Sequence, residues 1–310
     1  MTMMNPSKRW YYVLLFLALF LLIVWIWKRW QRPRYGSIEG FADQDRPFVM
    51  KRDQDVYDDF YVILYDELMQ TDAVAQFAVD KVVQMTQPSP KYSVFLDVGS
   101  GTGVLADRLR KKGYDVFGVD KSQAMVDYSE DKRPDVPVKC ADVVDPMTYD
   151  QNTFTHVLCM GRTIYEIPDK MGFLRNCAYW IRPGGYLVLN LVDPAKYDTM
   201  IPAAKPTFPF LSAIQKHATE RITETEIDFA ALKYKSKIDF RDPSLPVITE
   251  TFVDPVTDRI RQNERTLRMD SLDKIVQMAK HCGFIPHGQV NYTEATGDEY
   301  EYLVILERGL

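Results

Sequence analysis

Val94-Phe95-Leu96-Asp97-Val98-Gly99-Ser100-Gly101-Thr102-Gly103 is the stretch on which the fold turns. A short apolar run rich in β-branched and aromatic residues reads as a buried strand, and three glycines spaced by single residues end it. Val104-Leu105-Ala106-Asp107-Arg108-Leu109 then has helical periodicity. The pattern is strand, tight turn, helix. Glycine takes positive φ at little steric cost and lets a ligand approach the backbone, and a helix start adds unpaired N–H groups. The turn is expected to cradle a cofactor.

Details around the glycines separate the candidate cofactors. A dinucleotide-binding turn reads G-x-G-x-x-G and receives a pyrophosphate on the helix N-terminus. Here the third glycine comes one residue early, Val104 follows it, and Asp97 would repel a pyrophosphate but suits a cationic group. The D-x-G-x-G-x-G pattern from Asp97 to Gly103 resembles the first motif of class I S-adenosylmethionine-dependent methyltransferases. The resemblance implies S-adenosylmethionine as cofactor, held by Asp97, Gly99, Gly101 and Gly103.

Two further strand ends carry carboxylates in phase with Asp97. Asp115-Val116-Phe117-Gly118-Val119 closes on Asp120, and Val138-Lys139-Cys140-Ala141 leads to Asp142. A carboxylate can accept from two hydroxyls at once, and ligands of open α/β sheets bind outside the carboxyl ends of the strands. In the resembling family the first of these positions takes the ribose hydroxyls. The second meets the adenine amino group, with the following backbone N–H, here Val143, on the ring. The fourth strand, Phe154 to Met160, runs into Gly161, and the resemblance puts the backbone of Met160 and Gly161 beside the methionine part.

Tyr57, Tyr61 and Tyr65 recur at i, i+4 and i+8 and share one helical face. The stretch Val56 to Leu68 reads as an amphipathic helix on the core. It also resembles the leader helix that covers the cofactor's methionine end in many small-molecule methyltransferases, which makes Tyr57 and Tyr65 cofactor contacts. Many relatives carry histidines where this chain has Tyr165-Glu166. Those two side chains, with His217, are the candidate catalytic bases, while His156 sits within a strand and reads as core. No metal is implied, because the carboxylate cluster of magnesium-dependent catechol enzymes is absent from the pattern, as is the N-P-P-[YF] sequence of nucleic-acid amino-methylating enzymes.

Trp10 to Trp27 contains no charge, and as a helix it would be about 27 Å long against a hydrocarbon core of roughly 30 Å. Trp10, Tyr11 and Tyr12 flank one end and Trp25, Trp27 and Trp30 the other, as interfacial aromatic belts do. Lys28-Arg29, and no small-x-small cleavage site, follows the apolar run. An uncleaved transmembrane anchor over residues 1–31 is expected. Lys8 and Arg9 precede it and Lys28, Arg29, Arg32 and Arg34 follow, so the positive-inside rule puts the body in the cytosol. A linker is expected over 32–52, where Pro33, Gly36, Gly40 and Pro47 interrupt any periodicity.

Residues 1–35 hold six basic and no acidic side chains, which leaves 32 basic against 43 acidic in the remainder. An acidic body is the wrong sign for nucleic acid. Cys140, Cys159, Cys177 and Cys282 lack metal-ligand or paired spacing and read as reduced core residues.

Beyond the central strand, helix Leu174–Ile181 meets Arg182-Pro183-Gly184-Gly185 and then the strand Tyr186–Leu191, another junction that the resembling family shows. Between about 195 and 268 the sequence turns β-rich and alternating, with Asp-Pro turns at 242 and 254. An antiparallel insert over the cofactor site is expected there. Helix 271–282 and a hairpin of Phe284–Val290 with Tyr300–Leu306 complete the chain. The fold class is α/β, Rossmann-like: a seven-stranded mostly parallel sheet with a reversed C-terminal strand, over residues 53–310.

Three functions fit this reading. One is an anchored methyltransferase for a small or lipophilic acceptor; another is a protein methyltransferase held near a membrane-bound target; the last is a tethered scaffold without catalysis. The complete set of Asp97 to Gly103, Asp120 and Asp142 argues against the scaffold.

Overall fold

The computed structural model describes residues 14–24, 41, 44, 46–205, 221–229 and 232–309. Its main sheet has seven strands: β2 (Val94–Val98), β3 (Asp115–Asp120), β4 (Val138–Cys140), β5 (Phe154–Cys159), β6 (Ile181–Val192), β11 (Phe284–Tyr292) and β12 (Asp298–Arg308). Their order across the sheet is β11-β12-β6-β5-β2-β3-β4. Strands β4, β3, β2, β5 and β6 run parallel, and β12 lies antiparallel between β6 and β11. Parallel strands need crossovers, and the helices that supply them cover both faces.

Alternation along each strand divides the core between those faces. Leu96, Val157, Leu187 and Leu189 pack with Phe173, Leu174, Cys177 and Trp180 of α5 (Lys170–Trp180) and with Ile275 and Ala279 of α6 (Leu272–His281). Phe95, Leu158 and Val188 point the other way. They meet Ala75, Ala78, Val79 and Val82 of α2 (Thr71–Thr86) and Leu105, Ala106 and Leu109 of α3 (Val104–Lys111). All of these are buried, each side chain contributing about 1.5–3 kcal/mol of transfer free energy when of Leu or Phe size.

A second sheet, with β1 (Phe48–Arg52) at one edge, stands beside the first in the order β1-β10-β9-β8-β7. Its strands β7 (Glu224–Asp228), β8 (Lys233–Asp239), β9 (Val247–Val253) and β10 (Ile260–Thr266) form the antiparallel insert. Helix α1 (Asp59–Met69) packs Phe60, Tyr61 and Leu64 on Tyr234 and Phe252 of this sheet, in a cluster that also holds Met125 of α4 (Gln123–Lys132). The leader helix is thereby clasped between the insert and the main domain.

Several expected boundaries move. The linker expectation for 32–52 fails at its end: Phe48–Arg52 is β1, parallel to β10 from Phe48↔Ile260 to Arg52↔Glu264. Phe41 is buried against the Phe60 ring at 5.1 Å, and the rest of 25–45 apart from Gln44 lies outside the described residues. Helix α1 begins three residues later than its pattern implied. Asp53–Val56 is a 3-10 turn, and Asp58 caps α1 by accepting from the Tyr61 N–H at 3.3 Å. Strand pairing in β6 already starts at Ile181, across Arg182 to Gly185. Cys159 and Cys177 are buried, as core residues should be, but Cys140 is exposed because β4 is the edge strand of the main sheet.

Residues 14–24 are helical, and nearly all of their side chains are exposed. The remaining residues of the expected span from Trp10 to Trp27 lie outside the described residues. Among the described residues no helix is long and apolar enough to cross a membrane.

Candidate functional site

Parallel register aligns the ends of β2, β3, β4 and β5. Val98 stands opposite Val119 and Cys159, and Asp120 opposite Cys140, so the loops that follow open at one edge of the sheet. Gly99, Gly101 and Gly103 follow Val98 with φ of 64°, 53° and 81°, the left-handed region in which a side chain is strained. Gly103 N–H bonds the Ser100 carbonyl at 2.9 Å, which closes the turn, and the Asp107 N–H bonds the Gly103 carbonyl at 2.9 Å, which opens α3. An added Cβ on Gly101 would sit 3.8 Å from the Tyr65 ring. Tyr65 therefore lies over the turn.

Asp120 reaches back to this turn. One of its oxygens accepts from the Gly101 N–H at 2.8 Å and the other from the Ser122 N–H at 2.9 Å, which leaves a lone pair on each for a pair of hydroxyls. Burial raises its pKa, and the charge of Glu166 adds to that while the two N–H groups oppose it. Asp97 is 3% exposed and accepts from the Ser100 hydroxyl at 3.1 Å. Burial pushes its carboxyl up to about 7; the Ser100 bond works against this and the Asp120 charge with it. A cationic ligand group would relieve both carboxylates.

Asp142 lies one loop further along. It pairs with Lys121 at 2.8 Å and accepts from the Val144 N–H at 3.0 Å. Burial opposes ionisation there, but those bonds outweigh it and hold the carboxyl below its ordinary value. Val143 is half-buried and its carbonyl accepts from Asn176 at 2.9 Å. On the other side of β2, Met160 is buried and its carbonyl accepts from Thr163 at 3.0 Å, while Gly161 is exposed with φ of 59°. Thr163 packs so closely on Gly99 that a Cβ there would overlap it. The loop after β5 thus rests directly on the glycine turn.

Tyr57 and Glu166 are joined. The Tyr57 hydroxyl donates to the Glu166 carboxylate at 2.6 Å, and the Tyr57 carbonyl accepts from the Ser122 hydroxyl at 2.5 Å. Burial raises the Tyr57 phenol well above its ordinary value, with Arg265 opposing, and raises Tyr65 likewise. Both stay protonated donors. Tyr165, expected beside Glu166 as a candidate base, does not share its surroundings. It is completely buried, and its hydroxyl accepts from the Val192 N–H at 2.9 Å and donates to the Val192 carbonyl at 3.4 Å. A 3-10 turn at Thr163–Tyr165 sends these neighbours in chain to opposite surroundings. His217 lies outside the described residues. His156 stacks on Phe95 at 4.4 Å, and burial lowers its pKa to about 4.

Behind Glu166 lies a polar network that the sequence reading missed. Arg265 donates to the Tyr57 hydroxyl at 2.9 Å, to Glu166 at 3.1 Å, to the Tyr61 hydroxyl at 3.3 Å and to Glu250 at 3.3 Å. Tyr61 and Tyr234 both donate to the other Glu250 oxygen, at 2.9 and 2.8 Å. Burial works against the Arg265 charge, and the surrounding phenols and two carboxylates more than restore it. The network ties α1, the insert and the loop after β5 together. Its only sequence signal was parity: Glu250 falls on the same face of β9 as Phe252, which is fully buried.

Residues 96–189 match the family model described as a methyltransferase domain. That segment runs from the middle of β2 into β6 and includes the glycine turn, Asp120, Asp142, Gly161 and Glu166. A ubiquinone biosynthesis O-methyltransferase of Coxiella burnetii is 33% identical over 102 residues, 32% of this chain and 43% of that protein. A cypemycin N-terminal methyltransferase of a Streptomyces species is 36% identical over 108 residues, 33% of this chain and 43% of that one. The chain spans less than half the length of these curated relatives. Among solved structures, an S-adenosylmethionine-dependent methyltransferase of Clostridium acetobutylicum superposes with a TM-score of 0.61 at 17% identity, over 81% of this chain and 98% of that one. The fold is the same.

Proposed function

We propose that this chain is an enzyme that transfers a methyl group from S-adenosylmethionine to a small-molecule acceptor. The observation that carries this reading is the glycine turn itself: three left-handed glycines, with Asp97 buried before them and Asp120 bonded to the middle one. Gly101 leaves open the space that a Cβ would take, and Asp120 keeps free lone pairs for ribose hydroxyls. Asp97 suits the cofactor's amino group, Asp142 and the Val143 N–H the adenine, and Tyr57, Tyr65, Met160 and Gly161 the methionine end. The bound cofactor supplies an electrophilic methyl on a sulfonium. The chain's part is to hold the acceptor in line with that methyl and exclude water, which is where most of the rate of such a displacement arises.

The same reading divides the chain into an anchor (1–31), a connecting segment and a catalytic body, with the body on the cytosolic face of a membrane. Support comes from residues 14–24, whose Leu, Phe and Ile side chains are exposed on every side of the helix. Acceptors that reside in or at the membrane would be concentrated by such an anchor.

The test is transfer of labelled methyl from S-adenosylmethionine by the full chain, with products sorted into lipid, small-molecule and protein fractions. Label in the first two supports this function, and label confined to protein would favour the rival reading.

A further inference from the structure

Strand β6 lies inside the main sheet, between β5 and β12, and Leu187, Val188, Leu189, Leu191 and Val192 along it are completely buried. Asn190 is the polar residue in that run, and it is 1% exposed. A side-chain amide in such a place needs partners at both of its ends. Its Oδ1 accepts from the Arg162 N–H at 2.9 Å, and its Nδ2 donates to Glu301 of β12 at 3.0 Å. The orientation of the amide is forced, because a backbone N–H only donates and a carboxylate only accepts. Glu301 is itself 5% exposed and also pairs with the Arg162 side chain at 3.6 Å.

The residue supported in this way has a strained backbone. Arg162 has φ of 65°, a left-handed conformation that a side chain disfavours, and it follows Gly161 at 59°. Such a conformation persists where the surroundings over-determine it. Fixing the Arg162 N–H also fixes the Gly161 carbonyl, since the two belong to one planar trans peptide and point opposite ways. The carbonyl is thereby turned away from Asn190. Thr163 is secured separately, by the Met160 carbonyl at 3.0 Å and by its packing on Gly99. Asn190 therefore governs one peptide of the loop after β5, and not the glycine turn.

Building on the methyl-transfer reading, we propose that Asn190 and Glu301 are positioning residues for the methionine end of the cofactor: they hold the Gly161 carbonyl as an acceptor for its amino group. An ammonium ion donates only, and a carbonyl is a partner that suits it. The role of both side chains is indirect. Glu301 acts through Asn190, and Asn190 acts through the peptide between Gly161 and Arg162. Without the amide, the Arg162 N–H loses its partner and that peptide turns toward less strained conformations. The nucleoside half of the cofactor, which the same reading gives to Asp120, Asp142 and Val143, does not depend on it.

The experiment measures binding of two ligands to the full chain by titration calorimetry. One is S-adenosylhomocysteine; the other is methylthioadenosine, which keeps the nucleoside and the sulfur but lacks the amino-acid part. The variants are Asn190→Leu, Asn190→Asp, and Asn190→Asp combined with Glu301→Gln. Asn190→Asp alone sets two carboxylates face to face. The double variant exchanges amide and carboxylate between the two positions, so both hydrogen bonds and the net charge are kept. Each single variant is expected to weaken S-adenosylhomocysteine about 5- to 50-fold and to leave methylthioadenosine within about twofold, and the exchange to restore most of the loss. Unchanged S-adenosylhomocysteine affinity in the single variants overturns the proposal. Equal weakening of both ligands in both single variants, or a loss that the exchange does not restore, assigns the pair to folding alone and overturns it too. Equal affinity of the unaltered chain for the two ligands would mean that the amino-acid part is not held, which overturns the proposal and leaves methyl transfer standing. Binding of neither ligand contradicts the methyl-transfer reading, and this proposal with it.

Discussion

Asp97 couples the cofactor turn to pH. Its carboxyl is raised from 3.8 to about 7 chiefly by burial, so the folded chain holds that proton more tightly than the unfolded one. The associated stability is present in full below pH 3.8 and is lost as pH rises through about 7. The ligand-free protein should therefore melt at lower temperature at pH 8 than at pH 5.5, and Asp97→Asn should remove much of that slope. Binding has the opposite sign. A cationic amino group prefers the carboxylate, so affinity for S-adenosylhomocysteine should weaken as pH falls through 7, which titrations at pH 6 and 8 measure. Equal affinity at the two values would mean that Asp97 does not meet the ligand's charge.

At the scale of elements, Arg265 of β10 joins the insert to α1. Removing the guanidinium leaves the buried Glu250 carboxylate uncompensated, and Arg265→Met should destabilise the fold by about 3–5 kcal/mol. Adding Glu250→Gln should restore part of the loss, because the two residues are in contact and their effects are coupled. Additive losses in chemical denaturation would show that the network is not the link. Pattern also has its limits at this scale. The strand, glycine turn and helix of 94–109 were legible because glycine spacing and apolar runs act locally. Strand β10 alternates Ile260, Gln262, Glu264 and Thr266 against Arg261, Asn263 and Arg265, and the more polar face is the one buried. Nothing local says so; the partners Glu166, Glu250 and Asp58 are distant in sequence. Strand β1 escaped for a related reason. Phe48-Val49-Met50-Lys51-Arg52 is too short to show a period, and its partner in β10 is remote in sequence, Phe48 standing opposite Ile260.

For the whole molecule, the expected separation of anchor and body has to be drawn further toward the N-terminus than the sequence pattern suggested. Deleting 1–35 should leave folding and cofactor binding intact. Deleting 1–46 removes Phe41 from its contact with Phe60 and Gln44 from its bond to the Ile260 carbonyl at 3.1 Å. Loss of a buried Phe costs about 3–5 kcal/mol, so the longer deletion should lower the melting temperature by several degrees or more. Thermal melts of the two truncations check this, and identical melting would mean that 41–46 contributes nothing to the body. The resemblance that decided the fold reached across the cofactor half, where strand-end loops carry a fixed set of jobs. It likened the insert to a substrate cap but gave no role to Glu250 or Arg265, which sit on its strands.

The central claim is that the turn from Asp97 to Gly103 holds S-adenosylmethionine, with Asp120 on its ribose. Titration calorimetry of the full chain against S-adenosylhomocysteine and against NAD tests it most directly. The account predicts micromolar binding of the first, no heat from the second, and a loss of about 1.5–3 kcal/mol for Asp120→Ala, the range for hydrogen bonds to a charged group. Heat from NAD alone, or an affinity for S-adenosylhomocysteine that Asp120→Ala leaves unchanged, would contradict it.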